Sequence, residues 1–329
     1  SEAPSFLPTD GGNAETFARD HGADLRYCHQ WGRWLAWDGF RLAPDVTGEV
    51  ERRAKGTVRR MLADAVAVAD DDTRKRQTRW ALQSDNRGRR EALVALATAE
   101  QGIPVTPDQL DRDPWLLNVL NGTVDLRMGR LRPHAREDLI TKLAPVTYDP
   151  AATCPRWESF IEEVLPDPAV RWFVQKVVGY SLSGNVGEQI MLFLYGTGAN
   201  GKSVLLAVLL WLLGDYAMQA TPDVLVAHGT DRHPTELADL YGKRMVATVE
   251  VEEGRRLAES LVKLLTGGDQ VRARRMREDF WSFLPTHKLW LAANHRPVVR
   301  GQDYAIWRRI RLVPFTVTIP EGQRDPDLA

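Results

Sequence analysis

The chain is poor in cysteine. Its two, Cys28 and Cys154, stand far apart and in no metal-ligand spacing, which excludes a disulfide scaffold and a cysteine zinc site and leaves free thiols in a reducing cytoplasm. Net charge is almost missing too: 43 Lys and Arg stand against 44 Asp and Glu, leaving −1. A chain coated in positive charge is excluded, so a nucleic-acid partner has to be held by a local basic stripe. Long apolar runs are absent; the most apolar stretch, residues 204–213, falls short of the ~20 residues of a membrane span. The N-terminus is polar and acidic, unlike a secretion signal. Internal repeats and low-complexity tracts are lacking as well. What remains is ordinary globular material, 43% hydrophobic and 26% charged over 329 residues, enough for two domains or for one with an extension.

What is present centres on Gly196-Thr197-Gly198-Ala199-Asn200-Gly201-Lys202-Ser203, which reads G-x-x-x-x-G-K-S, a phosphate-binding loop. Residues 190–195 before it form a short apolar run suited to a buried parallel strand. Residues 204–213 after it are apolar without Gly or Pro, as a buried helix requires. Strand, glycine turn and helix together aim backbone N–H groups and a helix N-terminus at a phosphate. The glycines allow positive φ and close approach. Lys202, expected partly exposed, reaches the β- and γ-phosphates, and the Ser203 hydroxyl binds Mg²⁺. Kinases, GTPases, transporters and motors share such a loop, so it names no reaction.

Upstream, residues 1–12 read as an entry linker, and Asn13 as the cap of a helix over 14–21. Alternation around Trp31-Gly32 and a turn at Asp38-Gly39 predict a small β-meander in which Trp31, Trp34 and Trp37 pack. A helix over 49–69 shows a basic face of Arg52, Arg53, Lys55, Arg59 and Arg60. Asp70-Asp71-Asp72 caps the next helix, and helices follow over 74–82 and 89–101. These arginine-rich helices read as solvated faces. A loop with a short helix (105–113), a hairpin turning at 127–130, and helices over 157–164 and 169–182 lead to the loop strand.

Downstream, residues 214–232 read as irregular and 234–241 as a short helix. Residues 245–250 form an apolar strand ending in an acid, expected beside the strand of the loop. Glu250 suits the metal role, with Glu252 or Glu253 as the base that polarises water. Residues 271–284 read as a hairpin carrying Arg272, Arg274, Arg275 and Arg277 with aromatics beside them, a composition suited to single-stranded DNA. A third buried strand ends in Asn294, an amide able to orient a water. Arg308, Arg309 and Arg311 start a further strand, where an arginine can reach a neighbour's nucleotide in a ring.

Residues 186–315 resemble a superfamily 3 helicase, more narrowly the helicase part of the phage/plasmid primase–helicase family that includes the poxvirus primase–helicase. The segments that carry the likeness are GTGANGKS (196–203), GKRMVATVEVEEG (242–254), KLLTGGDQVRARR (263–275), PTHKLWLAANHRP (285–297) and IWRRIRLVPF (306–315). LLNVLNGTVDL (116–126), VVGYSLSG (177–184) and residues 12–39 resemble what precedes that ATPase in the family.

The resemblance implies an α/β chain: a P-loop NTPase with an AAA+-like superfamily 3 core, its parallel sheet flanked by helices, behind a mainly helical domain carrying small β-hairpins. The segments it implies are a leader (1–48), a helical linker or collar (49–185) and the ATPase (186–329). It further implies an ATP-dependent DNA helicase of a phage, plasmid or other mobile element, moving 3′→5′ on single-stranded or forked DNA. The partners are DNA, further copies in a hexameric ring, and a primase upstream in the full-length protein or separate from it. No membrane is involved, and the setting is a bacterial cytoplasm. The cofactors are ATP and Mg²⁺. Gly196, Thr197, Gly198, Ala199, Asn200, Gly201, Lys202, Ser203 and Val204 take the nucleotide, and Ser203 and Glu250 the metal. Lys202, Glu250, Glu252, Asn294 as sensor amide and Arg309 as inter-subunit arginine form the catalytic set, with Arg308 close behind Arg309. Arg272, Arg274, Arg275 and Arg277 contact DNA. Two other functions stay open: a P-loop small-molecule kinase, and a non-catalytic DNA-binding initiation module.

Overall fold

The structure, a computed structural model, describes residues 6–221, 225, 234–249, 256–274, 280–295, 299 and 303–325. It divides into two compact units, Ser1–Arg112 with Ala135–Thr141, and Asp113–His134 with Lys142–Ala329. The division falls inside the 49–185 segment, and the meander and the arginine-rich helices share one unit.

In that first unit the elements run α1 (Asp10–His21), β1 (Leu25–Cys28), β2 (Arg33–Trp37), β3 (Leu42–Pro44), α2 (Glu49–Val66), α3 (Asp71–Ser84), α4 (Arg87–Ala97) and β4 (Pro104–Val105). The strands form one sheet in the order β3-β2-β1-β4. The expected cap of α1 was misplaced. Thr9 caps it, accepting from Gly12 N at 2.9 Å. Asn13 is buried instead, donating to Ser84 Oγ and accepting from Trp80 Nε1, both at 3.0 Å. A cap-type side chain with tertiary partners no longer marks a helix start. Asp70 does cap α3, accepting from Thr73 N at 2.8 Å. Trp34 lies against Tyr27 and Phe17 with centroids 5.2 and 6.3 Å away, so the meander's aromatics pack.

The second unit opens with a three-stranded antiparallel sheet, β5 (Leu116–Val119), β6 (Gly122–Asp125) and β7 (Arg130–Arg132), followed by α5 (Pro155–Val164) and α6 (Pro168–Leu182). Next come β8 (Met191–Tyr195), α7 (Lys202–Leu213), β9 (Ala217–Ala220), α8 (Pro234–Ala238), β10 (Met245–Val249) and α9 (Glu259–Gly267). The hairpin β11 (Val271–Ala273) and β12 (Trp281–Phe283) precedes β13 (Lys288–Ala293), α10 (Tyr304–Trp307) and β14 (Ile310–Pro314). Five strands make a parallel sheet in the order β14-β8-β13-β10-β9. All of β13 and most of β8 and β10 are buried, which is why they read as continuous apolar runs. β9 falls in the stretch expected to be irregular; four residues with Gln219 exposed carry too little pattern to show.

The chain leaves β8 for one edge of the sheet and β13 for the other. A crevice therefore opens where the carboxyl ends of β8 and β13 lie side by side. Among the described residues no helix is long and apolar enough to cross a membrane. Neither cysteine forms a disulfide among the described residues; Cys28 is buried and Cys154 exposed.

Candidate nucleotide site and nucleic-acid hairpin

The GTGANGKS loop leaves the carboxyl end of β8. Glycine is required at two of its positions. A Cβ on Gly196 would stand 2.0 Å from Phe315 O, and Gly201, at φ +84°, would put one 2.5 Å from Val164 Cγ1 of α5. Ala199 also holds φ 58°, a left-handed conformation that costs a residue with a Cβ about 1 kcal/mol. Buried Asn200 braces the turn, its Nδ2 donating to Thr197 O at 2.5 Å and Phe315 O at 3.2 Å. The Lys202 ammonium donates to Gly196 O at 2.6 Å, Asn200 Oδ1 at 3.0 Å and Asn294 Oδ1 at 3.4 Å. Lys202 is buried rather than partly exposed, and burial pulls its ammonium below the ordinary lysine value.

These groups share one crevice of about 290 Å³, lined by residues 198–204 with Val249, Ala292, Ala293 and Asn294. α7 begins at Lys202 with no capping side chain and no acid in its first turn. An uncapped helix N-terminus, a buried ammonium and an open glycine turn are the donor set for an anion. The residues fit a nucleotide's phosphates. Thr197, Gly198, Ala199 and Ser203 are exposed. Ser203 and Val204 line the crevice, so a hydroxyl for Mg²⁺ is at hand. Glu250, Glu252 and Glu253 lie outside the described residues.

One expectation is corrected. The acid-ending strand β10 does not lie beside β8, because β13 is inserted between them. The insertion sets Asn294 next to Lys202, while Val249, just before Glu250, still lines the crevice. An apolar run carries no record of its place in a sheet; the order is decided by how the crossovers pack.

Arg309, the arginine expected to act between subunits, is buried. It is 7% exposed, its Nε donating to Thr266 Oγ1 at 3.1 Å and its Nη1 to Ala305 O at 2.5 Å. Its guanidinium is held by α9 and α10. Arg308, half-buried, donates to Gln189 Oε1, and Arg311 donates to Arg308 O at 2.6 Å.

The hairpin pairs Val271 with Phe283 and Ala273 with Trp281 on its buried face, which turns Arg272 and Arg274 outward. Both guanidinium groups sit over Phe280, at 4.5 and 4.8 Å from the ring centroid, and Phe280 is 45% exposed. Two cations on an exposed aromatic are what a base and its phosphate can share. Arg275 and Arg277 lie outside the described residues.

A set of buried cations went unread in the sequence. Arg244 donates to Leu182 O and Leu116 O and lies 4.3 Å over the Tyr216 ring. Lys288 donates to Ser183 O, Asn185 O and Thr286 O. Lys243 donates to Asp215 O at 2.8 Å and Ala217 O at 3.2 Å, and burial lowers its pKa to about 8. Leu182 and Ser183 close α6, where a positive charge meets the negative end of the helix dipole. The available signal was a charge directly preceding an apolar strand, at Arg244 and at Lys288. Arg244 and Lys288 tie the amino ends of β10 and β13 to α6, and Lys243 ties β10 to the start of β9, all at the end of the sheet opposite the crevice.

Comparison with known proteins adds the following. Residues 14–166 match the family model described as D5 N terminal like, and residues 194–309 match a family of unknown function (DUF5906). "Putative helicase L207/L206" of Acanthamoeba polyphaga mimivirus is 29% identical over 212 residues, covering 63% of this chain and 22% of that protein. "Putative helicase 121R" of Invertebrate iridescent virus 3 is 28% identical over 232 residues, covering 67% and 24%. "Putative primase C962R" of African swine fever virus is 24% identical over 211 residues, covering 61% and 22%. The chain thus spans 22–24% of the length of these curated relatives. The A-form apo structure of the NrS-1 C-terminal region aligns at a TM-score of 0.49 and 11% identity, over 89% of this chain and 58% of that one. A D5 N-terminal-like region is followed by the loop-bearing unit, and the relatives are viral proteins named as helicases and primases, so the chain is similar to primase–helicases.

Proposed function

We propose that the chain is the motor part of an ATP-dependent DNA helicase that works as a ring on single-stranded DNA during replication of a virus or other mobile element. Its loop-bearing unit is a P-loop NTPase with an AAA+-like superfamily 3 core. The observation that carries this reading is the meeting of Lys202 and Asn294, 92 residues apart, at the carboxyl crevice of a parallel sheet. The relatives' names support action on DNA, and the hairpin's paired arginines over Phe280 offer it a contact.

The chemistry follows from the donors. Phosphate oxygens take over the places of the carbonyl and amide oxygens now held by Lys202, and the N-terminus of α7 faces the same charge. Freed from the lysine, Asn294 can orient the attacking water. Ser203 and Glu250 would hold Mg²⁺, which would neutralise charge on the β- and γ-phosphates. Glu252 or Glu253 serves as base. In the ring, Arg308 rather than Arg309 reaches the neighbour's nucleotide, since it has only a side-chain amide to give up. Movement is 3′→5′, and a primase lies upstream in the full-length protein or acts as a partner.

The test is ATP turnover with and without single-stranded DNA. A helicase motor is accelerated by DNA. Turnover indifferent to DNA, with phosphate passed to a small acceptor, would establish a kinase. DNA binding without hydrolysis would leave a passive module.

A further inference from the structure

We propose that the outer face of α3 in the first unit is a second contact surface for single-stranded DNA, distinct from the hairpin. The proposal rests on the reading that the chain acts on DNA. Helical spacing sorts the exposed and half-buried residues of α3 into three adjacent rows. The middle row is Lys75, Arg79 and Gln83, four residues apart and so about 6 Å apart along the axis. A groove of about 440 Å³ runs on one side of this row, walled by Asp72, Arg76 and Trp80 with Pro8. A groove of about 610 Å³ runs on the other, walled by Thr78 and Leu82 with Val66 of α2. Lys75, Arg79 and Gln83 line both. The opposite side of α3, Gln77, Ala81 and Ser84, is buried, so the helix's placement is set by packing and its outer face is left over.

The chemistry of this face is that of a strand's backbone flanked by its bases. Asp71 engages Arg74 and Lys75. Arg76 and Arg79 are exposed and make no ion pair or hydrogen bond among the described residues. Trp80 is held rigid: Arg89 lies over its ring at 3.9 Å, and its Nε1 is tied to Asn13. A fixed aromatic loses little freedom when a base stacks on it. Leu82 and Val66, each 60% exposed, offer apolar surface across the ridge. A duplex, with its bases turned inward, would use the cations and leave both grooves idle. A single strand uses all three rows.

The test uses the full chain and a labelled oligo-dT, titrated by anisotropy at several salt concentrations. Arg76→Ala with Arg79→Ala should weaken binding several-fold and reduce the salt slope by about 0.7 for each lost phosphate contact. DNA-free ATPase should be unchanged. An oligonucleotide carrying 5-iodouracil should cross-link to the peptide containing Trp80, and the double variant should lose that adduct. The hairpin pair Arg272→Ala with Arg274→Ala is measured alongside. If only the hairpin variant loses affinity and no adduct forms at α3, the ridge is overturned and the motor reading stands. If the unaltered chain binds no single strand, both fall. Ridge-dependent binding of duplex tighter than of single strand would also overturn the proposal.

Discussion

His287, at the entrance to β13, should make the second unit sensitive to mild acid. It is 1% exposed, and neither ring nitrogen has a hydrogen-bond partner among the described residues. Burial first, and the charge of Lys288 second, lower its pKa from 6.5 to about 3. In the unfolded chain the imidazole recovers its ordinary affinity for protons. Below pH 6.5 the unfolded state binds a proton that the folded state refuses until about pH 3, so stability is complete above 6.5 and falls as the pH falls. One pH unit is worth about 1.4 kcal/mol, which makes the loss roughly 2 kcal/mol at pH 5. Asp24, Asp45 and Asp113 are held below their usual range, and their contribution cancels when variant and parent are compared. His21 shifts in the same direction as His287, but it cancels when variant and parent are compared. His287→Leu keeps the volume and removes two orphaned polar atoms, which should stabilise the protein by roughly 1–2 kcal/mol at pH 7.5. Exchange of the β13 amides in urea, corrected for the intrinsic pH dependence of exchange, reads this unit alone. The gap between variant and parent should widen by about 2 kcal/mol from pH 7.5 to pH 5. A gap that stays constant refutes the account.

Lys202→Met, which keeps the buried stem and drops the ammonium, should abolish ATP hydrolysis and leave the melting temperature within a few degrees; turnover near the parent's would remove the loop from the chemistry. Arg309→Ala should cost about 1–3 kcal/mol of stability, because Thr266 and the α10 carbonyl lose a charged donor. Arg308→Ala should leave stability alone, and mixing it with Lys202→Met subunits should restore some ATPase in confirmed mixed oligomers. No recovery there would place the trans arginine elsewhere. Arg272→Ala with Arg274→Ala should lower affinity for single-stranded DNA and spare DNA-free ATPase; unchanged affinity would make the hairpin a solvated decoration. Gly201→Ala should lose roughly 1–3 kcal/mol through positive φ and the clash with Val164, read as a lowered urea midpoint.

Local chemistry wrote much of this molecule into the chain directly. The glycine loop between an apolar strand and an apolar helix, the Asp70 cap, the meander and the alternating hairpin each depend on neighbours a few residues away, and their patterns survive in one dimension. The family likeness rests on the same short segments. Sheet order does not survive, because β10 and β13 are equally apolar and only the packing of crossovers decides which lies against β8. Placement of the charges followed that order. Lys202 found Asn294 as a partner, Arg309 was drawn inside between α9 and α10, and Lys243, Arg244 and Lys288 were sealed against carbonyls at the foot of the sheet. Whether a charged side chain faces water or a buried oxygen is set by what folds over it, and the residues that do so lie tens of positions away.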